Sequence, residues 1–185
     1  LGFGTRMRPK KSNSIVGGQI NRSIGSLWVH PLEGGPQVHI DTFCQANPSI
    51  AQRLYRDVAH FMTGNGSVNN FLDLYAGNGG FSHALSTRGA TQITAVESHP
   101  LCEKPLRELS DEIYMESAED WLAHQSQISF HALVADPPKK GLGSAAKKVA
   151  QLNAPRVALV FCNPDAIAKD IPEFYYQEKQ KIKMR

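Results

Sequence analysis

Five short apolar runs, at residues 70–75, 91–96, 112–115, 130–135 and 156–161, alternate with stretches of helical periodicity near 80–87, 100–109, 117–125 and 143–151. A further helical stretch follows near 164–170. Strands that alternate with helices in this way bury both sheet faces beneath helices. The pattern therefore predicts an α/β fold with a doubly wound, mainly parallel sheet. Ahead of it, Asn47-Pro48 joins a good N-cap residue to a proline suited to the first helical position. Ile50, Leu54, Val58, Phe61 and Met62 then recur at a helical period, and Gly64-Asn65-Gly66 ends that helix. Pro105, inside the stretch 100–109, is expected to shorten or kink it. The first 35 residues are rich in Gly, Ser, Asn and Arg and read as short strands and loops. Residues 1–36 are thus expected to be a partial N-terminal segment, and 37–185 the main domain. Segment 37–44 partly alternates, as a strand or an extended arm would.

A chain of 185 residues suits one main domain. It holds no run of about 18 apolar residues and no export leader, so neither membrane association nor secretion is expected. Cys44, Cys102 and Cys162 are far apart in sequence, which suggests neither a disulfide framework nor a metal site. A reducing, cytoplasmic setting fits best. The net charge of +3 is unevenly spread. Residues 1–47 carry five Lys/Arg against two Asp/Glu, residues 48–138 five against eleven, and residues 139–185 ten against four. Two basic segments meeting on one face would attract an acidic partner such as nucleic acid. Alternatively, Lys147, Lys148, Lys179, Lys181 and Lys183 are simply solvated.

The first strand–turn–helix is the most informative motif. Asn70-Phe71-Leu72-Asp73-Leu74-Tyr75 leads into Ala76-Gly77-Asn78-Gly79-Gly80-Phe81. In an open parallel sheet such a turn forms the crevice where ligands bind, and glycines allow close backbone approach. The next strand ends at Glu97, an acid 20 residues beyond Gly77, where a carboxylate can accept hydrogen bonds from both ribose hydroxyls of an adenosine cofactor. The alternative is an exposed acid beside a helix N-cap. The spacing Gly77-x-Gly79-x-x-Ser82 lacks the third glycine of a dinucleotide site, and no phosphate-cradling loop ending in Gly-Lys-Ser/Thr is present. Asp73 would repel a pyrophosphate but suit the cationic aminopropyl end of S-adenosylmethionine. Electrostatics favours that methyl donor.

The fourth strand ends in Asp136-Pro137-Pro138-Lys139-Lys140-Gly141. Asp136 emerges at the carboxyl edge beside the expected cofactor, and the two prolines hold a stiff extended turn with free carbonyls. Amine methyltransferases place an aromatic after such a Pro-Pro, whereas Lys139 stands here, which argues against adenine N6 chemistry. The fifth strand delivers Cys162-Asn163-Pro164 at its carboxyl end, ahead of a helix. Cys162 is well placed as a nucleophile, although a free cysteine often only packs. A methyltransferase needs a thiolate when its target is carbon 5 of a uracil, a poor nucleophile. Sulfur added at carbon 6 turns the ring into an enolate that can attack a methyl group.

Together these motifs resemble the RNA uracil-5-methyltransferase family, which makes 5-methyluridine in transfer and ribosomal RNA. The matching pieces are Thr42-Phe43-Cys44-Gln45-Ala46-Asn47, the turn from Asp73 to Phe81, Val96-Glu97, Asp136 to Gly141, and Phe161-Cys162-Asn163-Pro164-Asp165 continuing to Asp170. The resemblance covers about residues 38–171. It implies a Rossmann-like methyltransferase fold, S-adenosylmethionine as cofactor, RNA as partner and Cys162 as nucleophile. It also implies cofactor contacts from Gln45, Tyr75, Glu97, Asp136 and the turn containing Gly77 and Gly80. Gly80 stands where the family often has an Asn, so one side-chain contact is lost, and Lys139 replaces a usual Arg. Family members continue into a Phe-Pro-x-Thr-x-His-Val-Glu segment whose Glu is the final base. Residues 1–185 hold no such segment, no cluster-binding cysteines and no RNA-binding barrel, so a partial chain or an impaired enzyme is expected. An RNA cytosine-5-methyltransferase and a non-catalytic RNA-binding module of the same fold are the alternatives.

Overall fold

In the computed structural model the described residues are 3–6, 20–24, 26–64, 69–125 and 129–183, with side chains described for 26–64, 69–125 and 129–175. Strands β1 (Phe3–Arg6) and β2 (Ile20–Ile24) pair antiparallel. A second small ladder joins β3 (Trp28–Val29) to β4 (Val38–His39). Only Val38 and His39 of segment 37–44 are strand, and the chain then runs on as an arm over the carboxyl edge of the main sheet.

The main sheet contains β5 (Asn69–Leu74), β6 (Thr91–Val96), β7 (Glu112–Tyr114), β8 (Ala132–Ala135) and β9 (Arg156–Leu159). Their spatial order is β7-β6-β5-β8-β9, and all four pairings are parallel. The expected doubly wound sheet is thus present, with its direction of winding reversing between β5 and β8. Phe71 to Leu74, Ile93 to Val96 and Ala132 to Ala135 are buried on both faces, as continuous apolar runs in a parallel sheet require.

Helices α1 (Pro48–Thr63), α2 (Gly80–Ser86) and α3 (Glu103–Leu109) cover one face. The other is covered by α4 (Ala118–His124), α5 (Ala146–Gln151) and α6 (Pro164–Lys183). Trp121, Leu122, Val149 and Phe130 pack there against Leu72, Leu74 and Leu133. Truncating a core aromatic such as Trp121 to Ala costs about 3–5 kcal/mol.

Asn47 caps α1 as expected, its side chain accepting from the Ile50 N–H with Pro48 in the first turn. The buried stripe differs from the expected one. Ala51, Ala59 and Met62 face the core, while Ile50 and Phe61 are 66% and 55% exposed. The spacing 51/55/59/62 is itself helical, so small residues and Tyr55 carry the packing in place of the larger aliphatics. Pro105 shortens its helix: a 3-10 turn holds Pro100–Cys102, and α3 begins at Glu103, which leaves Pro105 in the first turn, where its missing N–H is harmless. Helix α6 runs well past residue 170 despite Pro172. Ala166 and Asp170 are buried and Phe174 packs on the core, so one inward stripe continues across the proline. No helix among the described residues is long and apolar enough to cross a membrane.

Candidate active site

The carboxyl ends of β5, β6, β8 and β9 open into one cavity of about 570 Å³, within the range that holds small-molecule cofactors. At its centre the turn after β5 contains three left-handed residues, Tyr75 (φ 59°), Gly77 (φ 56°) and Gly79 (φ 78°). The φ of Gly79 strains any other residue, and a Cβ there would also lie 2.6 Å from Leu109 Cδ1 of α3. A Cβ at Gly77 would meet nothing within 4 Å, and that side of the turn faces open cavity. Tyr75, an aromatic in a strained conformation, lines the cavity and donates its hydroxyl to Glu119 Oε1 of α4 at 3.3 Å.

Asp73 does not reach the cavity. It is fully buried beneath the turn, and its Oδ2 accepts from the Ser82 N–H and hydroxyl at 3.1 and 2.7 Å, which anchors the start of α2. Burial, offset in part by those bonds, pushes its carboxyl up to about 7. Its Oδ1 has no hydrogen-bond partner among the described residues. Glu97, at the end of β6, accepts from the Gly77 N–H at 2.8 Å and from the His99 N–H at 2.7 Å. Lone pairs remain free on that carboxylate, which lines the cavity. Asp136, at the end of β8, lines the opposite flank, and burial raises its carboxyl to about 6.

Cys162 follows β9 as an exposed free thiol on the same cavity. Asn163 ties it to the neighbouring loop: its amide donates to the Lys139 carbonyl at 3.3 Å, and its Oδ1 accepts from the Asp165 N–H. Asp170 of α6, 3% exposed, holds that loop from below by accepting from the Leu142 and Gly143 N–H groups at 2.6 and 3.2 Å. Across the cavity, the Asn78 side chain donates to Thr42 Oγ1 at 2.9 Å and to the Phe43 carbonyl at 2.8 Å. This clasp brings Phe43, Cys44 and Gln45 onto the cavity wall.

All seven residues singled out from the sequence, Gln45, Tyr75, Gly77, Gly80, Glu97, Asp136 and Cys162, line this one cavity. The donor set fits an adenosine cofactor: a carboxylate for a ribose on one flank, open backbone at Gly77, and the Asp136 carboxyl for a cationic end on the other. Asn78, Asn163 and Asp170 are not among these seven; each holds a loop in place, and Asn78 lines the cavity as well. Asp170 had one readable signal, a polar residue four positions from Ala166 on an inward stripe. Tyr55 had none. The basic segment 1–25 and Lys179, Lys181 and Lys183 lie outside the residues with described side chains.

An RNA methyltransferase of Lactiplantibacillus plantarum, itself uncharacterised, is 31% identical over 180 residues, 89% of this chain. A 23S rRNA (uracil(1939)-C(5))-methyltransferase, RlmD, of Pasteurella multocida is 26% identical over 88% of the chain. A 23S rRNA (uracil(747)-C(5))-methyltransferase, RlmC, of Proteus mirabilis is 24% identical over 77% of it. The resemblance to RNA uracil-5-methyltransferases holds over most of the chain. The chain spans 38%, 40% and 39% of the lengths of these three relatives. No protein-family model matches it. Among solved structures, the METTL16 methyltransferase domain has a TM-score of 0.55 at 15% identity, covering 76% of this chain and 63% of that one. A Pyrococcus horikoshii protein described as a candidate RNA methyltransferase has a TM-score of 0.52 at 15% identity, covering 71% and 69%. These two share the Rossmann-like methyltransferase fold.

Proposed function

We propose that this chain, with residues 37–185 as its methyltransferase domain, transfers a methyl group from S-adenosylmethionine to carbon 5 of a uridine in RNA. The observation that carries the proposal is the meeting of Glu97, Asp136 and Cys162 on one cavity at the winding reversal of the sheet. Ribosomal RNA is the substrate of the named relatives RlmC and RlmD, and a ribosomal or transfer RNA uridine is the target assigned here. On this reading the protein works in the cytoplasm.

When bound, the cofactor supplies an electrophilic methyl group on a sulfonium. Glu97 would hold its ribose hydroxyls, and Gly77 would leave room for it. Gln45 and Tyr75, from the arm and the turn, would also help hold it, and Asp136 would meet its cationic portion. The Cys162 thiolate adds to carbon 6 of the uracil, which places the electron pair of the 5,6 double bond on the ring as an enolate. Carbon 5 would then take the methyl group, with S-adenosylhomocysteine as the thioether product. Loss of the carbon-5 proton to a base restores the double bond and expels the thiolate. Lys139 and the Pro137-Pro138 turn form the wall against which the base is held.

The test is methyl transfer to transcripts whose uridines or cytidines are isotopically labelled, followed by nucleoside analysis. Label recovered as 5-methyluridine supports the proposal. Label recovered as 5-methylcytidine overturns the uracil assignment while leaving the thiol chemistry in place.

A further inference from the structure

Tyr55 belongs to none of the motifs that carry the resemblance, yet it stands in the cavity wall. Its ring occupies the space a side chain at position 80 would need: a Cβ on Gly80 would lie 2.6 Å from Tyr55 Cζ and 2.7 Å from Cε2. Position 80 is therefore a glycine because α1 has sent an aromatic into its volume. Phe81 packs edge-on against that ring, with centroids 4.8 Å apart and planes at 79°, and holds it in place. The hydroxyl has no hydrogen-bond partner among the described residues, although its ring is packed. Burial and then the neighbouring charges of Asp136, Cys44 and Asp73 push the phenol up to about 12, so it stays a neutral donor and acceptor.

Its flank of the cavity decides what it meets. Strands β6 and β8 lie on opposite sides of β5, so Glu97 and Asp136 stand about two strand spacings, roughly 10 Å, apart. A ribose at Glu97 leaves the charged end of the cofactor on the Asp136 flank, where Tyr55 is. The Asp136 carboxyl there disfavours a carboxylate neighbour and favours an ammonium. We propose that Tyr55 is a cofactor-binding residue whose hydroxyl accepts a hydrogen bond from the α-ammonium of S-adenosylmethionine, reaching it from the volume that a side chain at position 80 would otherwise fill. This rests on the cofactor assignment above.

Two ligands separate the contact from general packing: S-adenosylhomocysteine, which carries the amino-acid end, and 5′-methylthioadenosine, which lacks it. Titration calorimetry should show Tyr55→Phe weakening S-adenosylhomocysteine about tenfold or more while 5′-methylthioadenosine stays within about twofold. This variant removes one oxygen and keeps the ring that packs on Gly80 and Phe81. Gly80→Asn alone should lower the melting temperature through its clash with the ring, and pairing it with Tyr55→Ala should restore that temperature. If Tyr55→Phe binds S-adenosylhomocysteine as the unaltered protein does, or loses both ligands equally, the proposal is wrong and the cofactor assignment stands. If the unaltered protein binds neither ligand, the cofactor assignment itself is refuted and the proposal falls with it.

Discussion

Glu97 accepts from two backbone N–H groups at once, those of Gly77 and His99, so its carboxylate is oriented before any ligand arrives. Glu97→Ala should weaken S-adenosylmethionine binding by about 1.5–3 kcal/mol, the range for hydrogen bonds to a charged group, with calorimetry as the readout. Asp136 gives a prediction in pH. Its folded carboxyl titrates near 6 because it is buried, against an ordinary value of 3.8. Between those values the folded protein holds a proton that the unfolded chain has released, so stability present below the ordinary value is lost as pH rises through about 6. Asp73, raised to about 7, acts in the same direction. Melting temperature followed from about pH 5 to about pH 8 should therefore fall less steeply in Asp136→Asn than in the unaltered protein. Equal slopes would show that burial of this carboxyl has no such cost. Both acids were legible in the sequence, because each ends or precedes a strand end in a parallel sheet. Their division of labour was not. Which acid faces the cavity and which lies under the turn depends on the pleat of β5 against α2, a matter of three-dimensional packing.

At the scale of elements, the cavity is an assembly of loops held by a few side chains. Asp170 fixes the loop after Pro137-Pro138 from α6, and Asn78 fixes the arm 42–45 from the glycine turn. Asp170→Ala leaves two N–H groups without their carboxylate and should cost about 1.5–3 kcal/mol, seen as a lower urea midpoint at unchanged slope. Asn78→Ala should release the arm, and amide exchange at residues 40–46 should quicken about tenfold, with the central strands unaffected. The strands were readable because β5, β6 and β8 are continuous buried runs. The inward face of α1 was not, since Ala51 and Ala59 pack more deeply than Ile50 and Phe61. Hydrophobicity marks a helical period, whereas fit to the sheet chooses which stripe turns inward.

For the whole molecule, charge separates the site from its expected partner. The central segment is acidic, and Lys139, Lys140, Lys147, Lys148 and Lys169 are exposed on the loops and helices that follow β8. If four of these contact phosphates, RNA affinity should fall about 50-fold between roughly 50 and 200 mM salt, by counterion release from a single strand. A flat response would make these lysines solvated charges only. On the proposed mechanism, Cys162 adds to the uracil ring in a cavity that also receives the methyl donor. Intact-mass spectrometry after incubation with 5-fluorouridine RNA and S-adenosylmethionine tests it most directly, because fluorine at carbon 5 cannot leave as a proton and the adduct is trapped. A protein–RNA adduct is predicted for the unaltered chain and none for Cys162→Ser, which should still bind the cofactor. No adduct with the unaltered chain, or one that survives Cys162→Ser, would contradict the claim.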